Sequence, residues 1–264
     1  MNGIEGKATL ITGGGSGIGL GTAMRFASDG AHVTICGRTE DKLARACEQI
    51  GGVSAPGAVV QYIVADVTVE EQIAAAMGWA TQPTGALDIL FCCAGGAMHM
   101  GPIATADAAG VRATVDLNLI GTFLSIKHAV PLMSDGGAIV AMSSGAGHFP
   151  HRYLWAYGMA KAGIEMLVRS AAEELAEAGI RVNAVQPGII DDELMEFIIA
   201  GGPLLDDYMA QTPISRPGKV EEVADAVRFL AGPEAAWITG ECLAVDGGHH
   251  LRRGANYGLL LDDS

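Results

Sequence analysis

Residues 12–19 read "TGGGSGIG". An apolar run, "ATLITG" near 8–13, leads into this stretch, and a helical pattern near 17–29 leads out of it. Gly13, Gly17 and Gly19 therefore fall at a strand–turn–helix junction. Glycine permits a sharp turn and lets another group come close to the backbone. The helix that follows offers unpaired N–H groups and a partial positive charge, so such a junction suits a pyrophosphate. The same glycines could also serve only to pack a helix tightly on a strand. The elements on either side decide between the two.

Working outward, short apolar runs alternate with longer helical patterns. Strands are predicted at 31–36, 59–64, 88–93, 137–142, 180–185 and 242–247 beside the first, and helices near 17–29, 39–50, 69–81, 107–134, 155–178 and 219–231. The strand segments are apolar throughout rather than alternating, as strands covered on both faces are. Strict strand–helix alternation predicts an α/β fold, a Rossmann-like doubly wound parallel sheet of about seven strands with helices on both faces. No repeat or linker divides the chain, so residues 1–264 are expected to form one domain. Two stretches break the pattern. Residues 188–218 carry Gly-Gly-Pro, an acidic run and further prolines, and are expected to form a substrate loop or lid. Apolar residues there, Leu194, Met195, Phe197 and Ile198, suit a hydrophobic ligand or lid packing. The tail 249–264 is expected to dock on the body, dock on a partner subunit, or fray.

Composition narrows the function. The formal net charge is −14, which argues against nucleic acid and gives no reason to adhere to an anionic membrane. Half the residues are hydrophobic and only 17% are charged, so a large core is expected. Cys36, Cys47, Cys92, Cys93 and Cys242 show no framework or C-x-x-C spacing, which fits reduced thiols and a cytoplasmic protein. No apolar run sits behind a basic start, so neither a signal peptide nor a membrane span is expected. His148, His151, His249 and His250 lack an obvious third ligand, and no metal is expected. His148, His151, Arg152 and Tyr153 suit the rim of a pocket, as do Met98, His99 and Met100.

The glycine spacing is G-x-x-x-G-x-G, and several further motifs follow in order. These are "ADV" at 65–67, "CCAGG" at 92–96, Asn118 in "DLNLIGTF", "AMSSGAG" with Ser144, "YGMAK" at 157–161 and "NAVQPG" at 183–188. Together they resemble the short-chain dehydrogenase/reductase superfamily, in its short single-domain branch, from about residue 7 to 248. The resemblance implies that Gly13, Ser16, Gly17, Ile18 and Gly19 carry NAD(P). It implies adenine contacts at Asp66 and Val67, ribose contacts at Ala94 and Gly95, and a nicotinamide wall at Pro187, Gly188 and Ile190. At the end of the second strand Gly37 stands where NAD-preferring relatives place an acid, and Arg38 follows. An arginine there can grip a 2′-phosphate with a bidentate fork. NADP is thus favoured, with NAD the other candidate. Three places depart from the pattern. Cys92 and Cys93 replace two asparagines, and Asp192 stands where threonine is common.

Reduction of a ketone develops an alkoxide that needs a proton and charge stabilisation. A free tyrosine, of pKa about 10, is a poor base near neutrality, and a nearby lysine lowers that pKa. Tyr157 and Lys161 lie one helical turn apart, so they share a face. They read as an acid–base residue and its tuning partner, and Lys161 would also hold the nicotinamide ribose. Ser144, thirteen residues before Tyr157, matches the substrate-carbonyl serine, with Ser143 its competitor. Asn118 matches the asparagine that holds a water near the lysine. The implied activity is NAD(P)(H)-dependent hydride transfer between nicotinamide and a secondary alcohol or ketone. A catalytically silent cofactor-binding sensor is the alternative, and a reductase of carbon–carbon double bonds, which usually has another Tyr–Lys spacing, a third. Surplus apolar stripes on the helices at 107–134 and 155–178, including Met159 and Met166, imply a homo-oligomer; the resemblance implies a homotetramer, with a dimer the other candidate.

Overall fold

The computed structural model describes residues 3–193, 195–255 and 257–260, with the backbone alone at 134 and 135. Leu194 and the tail residues Asn256 and 261–264 lie outside the described residues. Seven parallel strands form one sheet. They are β1 (Ala8–Thr12), β2 (His32–Gly37), β3 (Val60–Val64), β4 (Leu87–Cys92), β5 (Met133–Met142), β6 (Arg181–Pro187) and β9 (Cys242–Val245). Their order is β3-β2-β1-β4-β5-β6-β9. The chain leaves β1 in one direction and returns on its other side as β4, so a crevice opens beyond the carboxyl ends of β1 and β4.

The strands are apolar throughout because successive residues serve two cores. Leu10, Leu90, Ile139 and Ala184 enter one core, while Ile11, Phe91, Val140 and Val185 enter the other. Helices α1 (Gly17–Ser28), α2 (Glu40–Gly51) and α10 (Val220–Ala231) cover the second face. Helices α3 (Glu70–Ala80), α5 (Gly121–Ala129) and α7 (Trp155–Leu175) cover the first. The sequence predicts one helix over 107–134. The structure divides it into α4 (Ala108–Val115), one π-helical segment (Asp116–Ile120) and α5. Such π segments collect at functional sites, and this one holds Asn118.

Above the carboxyl ends of the strands lies a smaller third core. It comprises the turn α6 (Gly145–His148), the lid and the described part of the tail. Within the lid, β7 (Ile190–Asp191) pairs with β8 (Gly218–Lys219), enclosing α8 (Glu196–Ile199) and α9 (Pro203–Gln211). The tail docks on this lid. Arg253 pairs with Asp207 of α9, and the hydroxyls of Tyr208 and Tyr257 meet at 2.8 Å. Among the described residues no helix is long and apolar enough to cross a membrane.

Candidate active site

A cavity of about 590 Å³ runs along the carboxyl ends of the strands. At one end lies the glycine turn. Gly13 has φ +68°, and its N–H donates to Cys36 O at 2.8 Å. A Cβ on Gly13 would stand 2.9 Å from the Ala94 Cα, and one on Gly19 would strike the Gly13 carbonyl. Side chains at these two positions would collide with backbone, so only glycine allows the turn to pack this closely. Ser16 is the N-cap of α1 but makes no side-chain cap bond, and the first turn of α1 carries no acidic residue. The N–H groups of Gly17, Ile18 and Gly19 thus head a helix whose charge is not offset from within. The residues fit a dinucleotide pyrophosphate.

Beside the turn, Arg38 and Lys42 both line the cavity, as do Asp66 and Val67 across from them. Sequence reasoning found a single basic residue here. Lys42 is a second. It lies in the first turn of α2, and helical side chains lean toward the N-terminus of their helix, here the cavity. Its Nζ lies 3.2 Å from both carboxylate oxygens of Glu193, which belongs to the lid. Asp66 Oδ1 accepts from the N–H and the hydroxyl of Thr68 at 2.9 and 2.8 Å, so its carboxylate also pins the turn into α3.

The loop after β4 supplies Cys93, Ala94 and Gly95 to the cavity wall. Replacing the asparagines by Cys92 and Cys93 does not leave this loop unsupported. The Thr12 hydroxyl accepts from the N–H groups of Cys93 and Ala94 at 3.0 and 3.1 Å. Asn118, fully buried, donates to Gly96 O and Thr114 O at 2.7 Å each, and its Oδ1 accepts from the Gly96 N–H at 3.2 Å. A Cβ on Gly95 would fall 2.6 Å from Asn118 Oδ1 and 3.3 Å from Lys161 Nζ. Burial pushes the Cys93 thiol up to about 12, so it stays a neutral wall residue.

Tyr157 and Lys161 leave the first turns of α7 on one face. The Tyr157 hydroxyl stands beside Ser144, the N-cap of α6, whose own oxygen accepts from the Ala146 N–H at 3.2 Å. Ser143 is turned the other way, donating to buried Glu165 at 3.0 Å. Lys161 is 1% exposed; its Nζ donates to Met142 O at 2.7 Å and lies 5.2 Å from the centre of the Tyr157 ring. Burial lowers this lysine to about 8. The sequence predicts a tyrosine pulled down by that lysine. Instead burial dominates and raises the Tyr157 pKa, with the Ser144 hydrogen bond acting against it. The ammonium donates to the Met142 carbonyl and faces the ring, and its attraction does not offset the burial of the hydroxyl.

Pro187, Gly188 and Ile190 form the wall opposite α7. Asp192 then projects back over the glycine turn. A Cβ on Gly17 would lie 2.9 Å from its Oδ2, while its Oδ1 accepts from the Met195 N–H at 3.0 Å. A carboxylate thus stands where the first turn of α1 faces the cavity. His151, Met100 and Met195 reach the far end of the cavity, as do Tyr208 and Tyr257, two residues the sequence reading did not single out. His148, Met98 and His99 do not line it; His99 packs edge-on against Trp155. His249 and His250 turn to Arg253 O and to Asp246.

Residues 13–250 match the family model described as enoyl-(acyl carrier protein) reductase. The chain is 39% identical over 249 residues to cis-4-hydroxycyclohexanecarboxylate dehydrogenase of Sinomonas cyclohexanicum, covering 92% of this chain and 96% of that protein. It is 34% identical over 248 residues to glucose 1-dehydrogenase of Gluconobacter oxydans, covering 92% and 91%. A short-chain type dehydrogenase/reductase from Mycobacterium ulcerans superposes with a TM-score of 0.96 at 39% identity, covering 98% of this chain and 95% of that one.

Proposed function

This chain belongs to the short-chain dehydrogenase/reductase superfamily, and on that premise we propose that it interconverts a secondary alcohol and a ketone with NADP(H) as preferred cofactor and Tyr157 as the acid or base. The observation that carries this reading is the Tyr157 hydroxyl. It stands beside Ser144 and is backed by Lys161, in the same cavity as the glycine turn.

The cofactor, when bound, supplies or takes up the hydride. Gly13, Ser16, Gly17, Ile18 and Gly19 would hold its pyrophosphate, Asp66 and Val67 its adenine, and Ala94 and Gly95 a ribose. Arg38 and Lys42 would grip a 2′-phosphate, which supports NADP(H) over NAD(H). Tyr157 and Lys161 would hold the nicotinamide ribose, and Pro187, Gly188 and Ile190 the nicotinamide.

With its pKa raised, Tyr157 is a phenol at neutral pH, the form that can give a proton to a ketone oxygen. Ser144 can donate to the same oxygen while sharing a hydrogen bond with Tyr157. Lys161 sets a positive charge beside the ring, which favours the phenolate left once the proton has gone. Asn118 fixes Gly96 and so the position of the loop against Lys161. A phenol and a serine hydroxyl side by side on one cavity suit an oxygen rather than a carbon–carbon double bond. The names of the curated relatives, dehydrogenases of hydroxyl compounds, agree.

The test follows cofactor absorbance across a panel of secondary alcohols and ketones. Turnover with NADP(H) supports the proposal. Tight cofactor binding with no turnover of any member supports the silent-sensor alternative.

A further inference from the structure

The charges around the cavity are distributed unevenly. Arg38 and Lys42 lie at the adenosine end, and Lys161 lies beneath the ribose position with its Nζ on Met142 O. Beyond Tyr157, where a substrate must sit, the described residues that line the cavity include no Lys or Arg. Cations near that end are directed elsewhere: Arg152 to the Tyr153 ring and hydroxyl, Arg252 to Ala210 O, and Arg253 to Asp207. No lysine or arginine occurs in the sequence after Arg253. The basic group that lines this end is His151, 7% exposed, and burial lowers it to about 4, so it is neutral under ordinary conditions, while His249 packs behind Tyr208 and is turned to Arg253 O.

What this end does offer is hydroxyl. Tyr208 of α9 and Tyr257 of the tail, each 6% exposed, are joined at 2.8 Å. Both line the same cavity as Tyr157, which packs against the small core they belong to, so they stand near the reacting group. In such a pair one O–H is spent on the other oxygen. The second O–H and the remaining lone pairs stay available as one donor and its acceptors. That set matches a neutral polar group and gives an ion no counter-charge.

We infer that the substrate is an uncharged, largely apolar secondary alcohol or ketone carrying a second neutral hydrogen-bonding group, which the Tyr208–Tyr257 pair holds, and that carboxylate analogues are rejected. This inference rests on the oxidoreductase reading of the site. It separates the chain from its relative at 39% identity, whose name describes a carboxylate substrate.

Binding to the enzyme–NADP⁺ complex tests it without turnover, because a ketone has no hydride to receive there. Calorimetry at pH about 8 compares cyclohexanone, 4-oxocyclohexanecarboxamide and 4-oxocyclohexanecarboxylate, together with an open-chain series bearing the same groups. An unpartnered buried ion is expected to weaken binding by at least about tenfold relative to the amide. In Tyr257→Phe and Tyr208→Phe the advantage of the amide over the unsubstituted ketone should shrink several-fold, with NADPH affinity retained as the check on folding. A carboxylate that binds as tightly as the amide overturns the inference. So does an amide advantage untouched by both variants, or a failure of every neutral member of both series to bind. If the binding order holds but NADPH reduces none of these ketones, the inference stands and the oxidoreductase reading falls.

Discussion

Replacing Asp192 by asparagine should tighten NADPH binding. The Asp192 Oδ2 lies 2.9 Å from where a Gly17 Cβ would be, so it borders the first turn of α1. A phosphate held by the N–H groups of that turn would then stand roughly 4 Å from a like charge. At that separation the repulsion is about 1 kcal/mol in the dielectric of water and about 4 kcal/mol at the value typical near a protein surface. Asp192 is partly exposed, so solvent screens most of the larger figure. About 1.5 kcal/mol remains, which is roughly a tenfold lower Kd. Asparagine keeps the oxygen that accepts from Met195 N, so the turn itself is preserved. The assay is fluorescence titration of NADPH at low ionic strength and again at about 0.5 M salt, where screening should shrink the difference. A variant that binds NADPH no better than the wild type at low salt refutes the reasoning. It would mean that the carboxylate leaves the cradle at no cost, or contributes to holding the cofactor.

Three further outcomes follow from the same structure. Arg38→Ala and Lys42→Ala should each weaken NADPH by about tenfold and NADH by no more than about twofold, since each removes a charge-assisted contact to a 2′-phosphate alone; equal losses for both cofactors count against the NADP(H) preference. Because the Tyr157 pKa is raised, alcohol oxidation should accelerate with pH, while ketone reduction should hold near neutrality and decline above about 8 as Lys161 loses its proton; kcat/KM profiles in both directions check this, and reduction that accelerates through that range opposes it. Phe123, Met159 and Met166 remain 43%, 51% and 59% exposed on the faces of α5 and α7 that no described element covers. A homo-oligomer is therefore expected, and light scattering should give at least twice the monomer mass, with Met166→Glu shifting it downward; a wild-type monomer at micromolar concentration contradicts it.

Much of the architecture is legible in the sequence because it is written in local patterns. Continuous apolar strands follow from two cores, and the glycine turn follows from the close passage of Gly13 past Ala94. The spacing of Tyr157 and Lys161 needs only helical geometry. The remainder depends on long-range contact. Thr12 supports the loop after β4 across 81 residues, and nothing near Cys93 in the sequence announces it. Lys42 could have been found, since its place in the first turn of α2 aims it at the cavity. Tyr208 and Tyr257 are brought together across 49 residues only when the tail folds on the lid. The raised pKa of Tyr157 is hidden from the sequence for a similar reason. Helical spacing sets the lysine beside the tyrosine, but it does not reveal the burial that outweighs the charge, nor the Met142 carbonyl that engages the ammonium.

The central claim is that the Tyr157 hydroxyl moves the proton. Tyr157→Phe removes one oxygen from a buried site while keeping the ring beside Lys161. Measured on one preparation, NADPH affinity should stay within about threefold of wild type, since the ring and the lysine remain. Turnover of any ketone the wild type reduces should fall by about a thousandfold, within the range that a positioned general acid contributes. A variant that binds NADPH normally and retains more than about a tenth of the wild-type rate contradicts the account.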